Sequence, residues 1–354
     1  MLIYVWKYVQ NAFVRDTVID SGTSTIWHKC YNDAGDFELY VRATPEYMDL
    51  FHNNFVLLTR PGHKEAMIPD RIHLTTDMEN GDYLIISGRS AESLLANRIF
   101  TVQYNWSNYY AEAMIYDMIN ENVIAPMDLA RKIPIIRLGT SHGWTAKTSK
   151  QVTGENLLTT ISDVCKAQGW GFELQWDGSW FTFELYEGAD RSAGELPHVV
   201  FSPEYCNLGN TDYTRDMSTY YNSIYVAGEG EGANRAIVND QTGRAGLFLR
   251  ELWVDARNTS STTSGGTLTP QEYRAMLVAQ AAEEVQLHKD TVYYNGEVFD
   301  TEVYRYGTDY FLGDKVTVIN AYGIKGTAIV SDITEVEDST GYRIFPTLTE
   351  WSVD

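Results

Sequence analysis

From Asp36 to Arg42 the apolar residues Phe37, Leu39 and Val41 alternate with Glu38, Tyr40 and Arg42, the period-two pattern of a strand with one buried face. Further strands are expected over 2–9, 55–59, 65–68, 72–76 and 83–87. The last two flank Asn80-Gly81, whose tolerance of positive φ favours a tight hairpin. About six strands in the first ninety residues are more easily closed into a small barrel or sandwich than left as a flat sheet with open edges.

The pattern changes after Gly88. Ser90 is placed to cap a short helix through Asn97, and a longer helix is expected over 107–122, where Ala111, Met114, Ile115, Met118 and Ile119 form one apolar stripe. Pro126 and Pro134 break the chain. Leu157, Leu158, Ile161, Val164 and Cys165 then mark a helix over 155–168, ended near Gly169. A hairpin follows over 171–186, with a two- or three-residue turn at Asp177-Gly178.

Strands return at 221–226, 236–239 and 247–254, the first two separated by the loop Gly228 to Gly232. The Ser/Thr/Gly tract 259–267 reads as a surface loop. Next, Thr269, Pro270 and Glu272 stand at N-cap, N1 and N3, a capping box opening a helix over 270–289 with Tyr273, Leu277, Ala281 and Val285 on its buried side. Strands are expected over 297–304, 315–320, 327–337 and 342–351. The fold class is therefore mainly β (α+β overall), in three domains: 1–98 (β), 99–212 (α+β) and 213–354 (β with one inserted helix).

With 354 residues and 44% hydrophobic residues, the chain has ample length for a sizeable core. The longest apolar run, Met1 to Trp6, is cut by Lys7, so neither a signal segment nor a membrane span is expected. The 27 basic residues face 48 acids, a formal charge of −21, which disfavours any binding of nucleic acid that depends on neutralising phosphates. Cys30, Cys165 and Cys206 are odd in number and scattered, so neither a disulfide framework nor a zinc ribbon is indicated. Twenty-four Tyr and nine Trp suit sheets, assembly interfaces or a sugar-binding surface.

The motifs of nucleotide hydrolysis, zincins and α/β-hydrolases are all missing. The histidines, at 28, 52, 63, 73, 142, 198 and 288, include no pair at chelating helical spacing. Gly228-Glu229-Gly230-Glu231-Gly232 superficially matches a dinucleotide fingerprint, but no helix follows, and it reads as a hairpin loop. Asp36 with Glu38, or Glu229 with Glu231, are the carboxylate pairs that a glycoside hydrolase could use, but each reads first as a solvated strand or loop face. Asp332, Glu335, Glu337 and Asp338 could hold calcium weakly, without EF-hand spacing. No catalytic, cofactor-binding or metal-binding residue is assigned and no cofactor is expected. A β-rich carbohydrate-binding or glycoside-hydrolase protein with an acidic, aromatic cleft stays as the alternative.

Several segments together resemble the siphophage baseplate hub family, the tail-tip proteins that include tail-associated lysin N-terminal regions. They are Gly35 to Val41, Ile86 to Ser90 before Leu94-Leu95 and Arg98, Gly188 to Ser192, Tyr221 to Val226 and Phe311 to Val316, in the order which that family shows. The resemblance implies two hub-type small β-barrels per subunit with the middle domain at the periphery, and a homotrimer whose six barrels continue the tail tube. It implies a place at the distal end of the virion tail, and partners in a distal tail protein ring, a tape measure protein and tip, fibre or receptor-binding proteins. DNA would pass during ejection without specific binding, and no integral membrane association is implied. Because the sequence ends at Asp354, a structural hub without its own enzyme module is expected.

Overall fold

A computed structural model describes residues 2–20, 22–76, 81–192, 198–241, 243–263, 266–298, 304–323 and 325–353. The N-terminal part holds β1 (Ile3–Val9), β2 (Ala12–Ile19), β3 (Ser24–Cys30), β4 (Asp36–Arg42), α1 (Pro45–Asn53), β5 (Val56–Thr59), β6 (Ala66–Thr75) and β7 (Tyr83–Ser90). The strands pair in the order β3-β4-β7-β6-β5-β1-β2. A flat sheet of this kind would be about 29 Å wide at ~4.8 Å per strand step. Yet one core receives Ile3, Ile19, Trp27, Leu39, Leu58, Met67 and Ile86, a residue from every strand, so the sheet curls around it. Leu50 and Phe51 of α1 close that core from one side.

Three of these elements, β2, β3 and α1, escape the hydrophobic pattern. The face of β2 opposite Phe13 is largely exposed, and α1 starts from Thr44, whose hydroxyl accepts from the Tyr47 amide, with Pro45 in the first turn. The expected strands 65–68 and 72–76 are one strand, β6, with a register shift between Pro69 and Arg71 against β7. Proline cannot donate to the ladder, and the bulge accommodates it. The expected hairpin forms, though residues 76–82 separate the last pair, Thr75 and Tyr83, and Asn80 lies outside the described residues.

The middle part holds α2 (Ser93–Ala96), β8 (Tyr104–Tyr110), α3 (Ala111–Ile119), β9 (Ile136–Leu138), β10 (Lys147–Val152), α4 (Leu157–Gln168), β11 (Gly171–Trp176) and β12 (Phe181–Tyr186). Ser90 ends β7 and its hydroxyl accepts from the Gly35 amide at 2.9 Å, so it does not cap α2. The stripe expected from 107 becomes helical only at Ala111, because residues up to Tyr110 pair with β10, and a π turn over Asn120–Ile124 finishes it. Asn156 caps α4, accepting from the amides of Leu158 and Thr159. The β11–β12 turn is wider than expected: Trp176 pairs with Phe181, and the Asp177 carboxylate accepts from the amides of Ser179 and Trp180 at 2.8 Å each. Met114, Met118, Ile161, Phe172 and Phe183 share a core with Phe13, Leu57 and Ile68 from the outer face of the curled sheet.

The C-terminal part holds β13 (Val200–Phe201), β14 (Leu208–Asp216), β15 (Ser223–Ala227), β16 (Ile237–Gln241), β17 (Glu251–Asp255), β18 (Thr262–Thr263), β19 (Gly266–Thr267), α5 (Pro270–Leu287), β20 (Thr291–Val298), β21 (Lys315–Ile319), β22 (Lys325–Asp338) and β23 (Gly341–Val353). The strand expected over 247–254 begins only at Glu251, after a short turn at Gly246–Phe248. That expected over 297–304 starts earlier and ends at Val298, with 299–303 outside the described residues. Strands β14, β20, β23, β22, β21 and β13 surround Phe201, Leu208, Val316, Val330 and Leu348. Separately, β16-β15-β17 carries α5 across one face over Ile224, Val226, Tyr273, Leu277 and Ala281, with Val285 half-buried beside them. The tract 259–267 folds back as the β18–β19 ribbon, and the buried Thr259 carbonyl accepts from the Tyr273 hydroxyl at 2.9 Å.

The expected capping box is present in full, with Thr269 accepting from the Glu272 amide and the Glu272 carboxylate accepting from the Thr269 amide at 2.8 Å. Thr269→Ala is expected to lower stability by about 1 kcal/mol, read by denaturant titration of the full chain. A change under about 0.3 kcal/mol would show that packing against β15 and β16 holds the helix without its cap.

Candidate functional site

Strand β22 pairs with β3 from Glu337 opposite Thr25 to Asp332 opposite Cys30, and this pairing fuses the N- and C-terminal strands into one sheet, thirteen-stranded among the described residues. Alternation along the end of β3 then sends His28, Lys29, Cys30 and the following Tyr31 to different surroundings. Each of the four ties down another part of the molecule.

Lys29 faces the side of Trp27 and meets Glu335 at 2.8 Å. Glu335, 2% exposed, is held bidentately by Arg60 from the end of β5, at 2.6 and 3.0 Å, and also accepts from the Tyr342 hydroxyl. Arg60 also pairs with Glu65 and lies over the Trp27 ring at 4.8 Å. His63 stands 3.2 Å from Glu65, and Lys29 covers the Tyr306 ring at 4.6 Å. Burial pushes the Glu335 carboxyl up, but Arg60 and Lys29 outweigh it and hold the group at about 2. Glu65 is likewise held well below the usual range against its burial, by His63, Lys29 and Arg60.

Cys30 and His28 face the other side of the sheet with Asp332. The His28 Nε2 is 3.4 Å from an Asp332 oxygen and 3.8 Å from the Cys30 sulfur, while its Nδ1 is 3.1 Å from Asp36. Hydrogen bonding to Asp332 raises the imidazole's pKa above the ordinary 6.5 against partial burial, with Asp36 adding to it. Burial pushes the Cys30 thiol up and the nearby carboxylates push it further, so it is not an activated nucleophile.

Tyr31 continues past β22, its amide donating to the Ser331 carbonyl at 2.9 Å. Its hydroxyl donates to the Gly169 carbonyl at 2.9 Å and accepts from the Gly188 amide at 3.1 Å. Two segments set apart in the sequence, 188–192 and 311–316, dock against each other here. The buried Asp314 carboxylate accepts from the Ala189 amide at 2.7 Å, from the Phe311 amide at 2.9 Å and from the Arg191 guanidinium. Gly188 is forced by this approach, since a Cβ there would fall 1.8 Å from the Gly313 carbonyl oxygen.

The acids weighed in the sequence do not converge. Asp36 serves His28 while Glu38 bonds Tyr40, and Glu229 accepts from the hydroxyls and one amide of Ser260 and Ser261, closing the Gly228–Gly232 loop as a connection between β15 and β16. Asp332 and Glu335 lie on opposite faces of β22, and Asp338 pairs with Arg343 at 2.7 Å, so the four suggested calcium ligands form no common site. Burial raises Glu92 and Glu173, but the cleft they share holds only about 50 Å³, far below the ~300 Å³ of a small-molecule site. A cleft of about 560 Å³ bears Tyr220 and Phe248 beside Arg215, Arg244, Arg250 and a single acid, Asp290, which is bound to Arg215. Of these two clefts, the one rich in carboxylates is too small for a sugar, and the one with room has a single carboxylate that is already paired.

The sequence matches the siphovirus ReqiPepy6 Gp37-like proteins over residues 2–348. The chain belongs to that family. In structure it is similar to the 43 kDa tail protein of prophage MuSo2 from Shewanella oneidensis, with a TM-score of 0.59, 14% identity and 98% of each chain covered. It is also similar to the tail protein from Neisseria meningitidis MC58, at a TM-score of 0.58, 14% identity and coverage of 98% of this chain and 96% of the other. Prophage tail protein gp18 from Listeria monocytogenes EGD-e follows at 0.52, 12% identity, and 98% and 94% coverage. No curated protein matches the sequence. At these identities the likeness is one of fold, and the fold is mainly β, as expected. The chain is thus a member of a siphovirus protein family with the fold of phage and prophage tail proteins.

Proposed function

We propose that this chain is the subunit of a trimeric baseplate hub at the distal end of the tail, where it continues and caps the tail tube. The observation that carries the reading is the continuous sheet, which runs through two curled halves around separate cores and ends in β2 on one side and β14 on the other. An unpaired strand edge invites association, and a head-to-tail ring covers both ends with neighbouring copies. Three chains with two curled halves each make a ring of six similar units around one axis. The middle part packs on the outer face of the first half, which supports a place at the periphery.

In this reading the hub joins a distal tail protein ring to tip, fibre or receptor-binding proteins, meets the tape measure protein, and lets DNA pass during ejection without holding it. The interior of each half is apolar, so the bore is the space between subunits and the acids of a −21 chain face it from the outer surfaces. Its role in this reading is assembly and not turnover, which the fold it shares with phage tail proteins supports.

Native mass spectrometry and particle imaging test the ring. Three copies about one axis support it, and monomers or two-fold dimers under assembly conditions would rule it out. Lysines in place of the acids that line the imaged bore are expected to slow DNA ejection, most at low salt. A bore lined mainly by Lys and Arg would remove that account of DNA passage.

A further inference from the structure

We propose that His28, Cys30 and Asp332 form a binding site for a divalent cation of the zinc type. The sheet seam assembles the set: residues two apart on β3 place imidazole and thiol on one face, and the register puts Asp332 directly opposite Cys30. The three donor atoms lie within 4.8 Å of one another. The nitrogen–sulfur distance is 3.8 Å and the nitrogen–oxygen distance 3.4 Å. Tetrahedral bonds of about 2.0 Å to nitrogen or oxygen and about 2.3 Å to sulfur put such donors roughly 3.3–3.5 Å apart, so the two distances from His28 need to contract by only a few tenths of an ångström.

A second observation points the same way. Asp36 stands 3.1 Å from His28 Nδ1 and can hold a proton there, so that a bound ion would replace the proton Nε2 otherwise shares with Asp332. This is the carboxylate–histidine–metal arrangement that orients an imidazole ligand. A thiolate, an imidazole and a carboxylate select zinc or cobalt over magnesium or calcium, and three protein ligands leave the fourth position to water or to a donor from a neighbouring chain. All three side chains are half-buried, so an ion has access. Sequence spacing could not reveal the site, because Asp332 comes from a strand three hundred residues away.

The full chain, stripped of metal, is titrated with Co2+ and then with Zn2+. One equivalent of tetrahedral cobalt with a thiolate charge-transfer band, displaced by Zn2+ and not by Mg2+, is expected. Cys30→Ser should abolish the band and Asp332→Asn should weaken binding at least about tenfold. Asp36→Asn, at an exposed position that leaves the fold intact, should weaken it by about 10–100-fold. The site is refuted if no band forms, if the band survives Cys30→Ser or disappears instead with Cys206→Ser, or if Asp36→Asn binds with unchanged affinity.

Discussion

Arg60→Ala is expected to lower the stability of the sheet seam by about 3–5 kcal/mol, because it leaves a buried carboxylate without its main partner. Glu335 is 2% exposed and Arg60 supplies two of its hydrogen bonds, at 2.6 and 3.0 Å. Lys29 and Tyr342 remain, but neither replaces a planar, two-pronged donor. Denaturant titration reads the effect, and a loss under about 1 kcal/mol would mean that water or Lys29 takes over. Arg60→Met combined with Glu335→Met should recover much of the loss, since an apolar pair carries no desolvation cost.

The same network sets an acid limit. Glu335 is held at about 2 against an ordinary 4.5, despite a burial that opposes ionisation, by Arg60 and Lys29, with Tyr342, Tyr306 and Glu65 nearby. A carboxylate with a lowered folded-state pKa stabilises fully above 4.5 and loses that contribution as the pH falls from there through about 2. The shift corresponds to about 3 kcal/mol. Stability measured at pH 5 and pH 3 should differ by a large share of that amount, and Glu335→Gln should flatten the difference. An equal slope in the variant would place the acid sensitivity elsewhere.

Much of the fold was legible because its signals are local. The alternation of Phe37, Leu39 and Val41, the stripe from Ala111 to Ile119 and the Thr269 capping box each report on a few neighbouring residues, and each lies where it was expected. Strand β3 was not legible. Its residues Thr25, His28, Lys29 and Cys30 look like loop because their polar groups are satisfied by partners far along the chain, Asp332 and Glu335 among them. Tertiary pairing overrides local preference there. The segments at 188–192 and 311–316 could be recognised singly, through family resemblance, but their mutual contact is a property of the folded chain.

That contact makes Gly313→Ala the sharper test of how the middle and C-terminal parts are joined, with an expected cost of roughly 2–5 kcal/mol. Gly313 has φ +90°, a conformation costing an L-residue roughly 1–2 kcal/mol. A Cβ there would also fall 2.2 Å from the Tyr31 ring, whose hydroxyl is fixed between Gly169 and Gly188, and overpacking of this kind costs about 1–3 kcal/mol. Gly62→Ala is the control, since φ is +78° but nothing lies within 4 Å of the added carbon. It should show the conformational part alone. Each side of the joint has its own core, so the Gly313 variant should open the joint and not the halves. Hydrogen exchange should quicken at Ala189, Arg191 and Lys315, whose amides cross the joint, while the amides of α3 and α4 keep their protection. Uniform acceleration across the chain, or a cost equal to that of Gly62→Ala, would show that Tyr31 does not lock the two parts together.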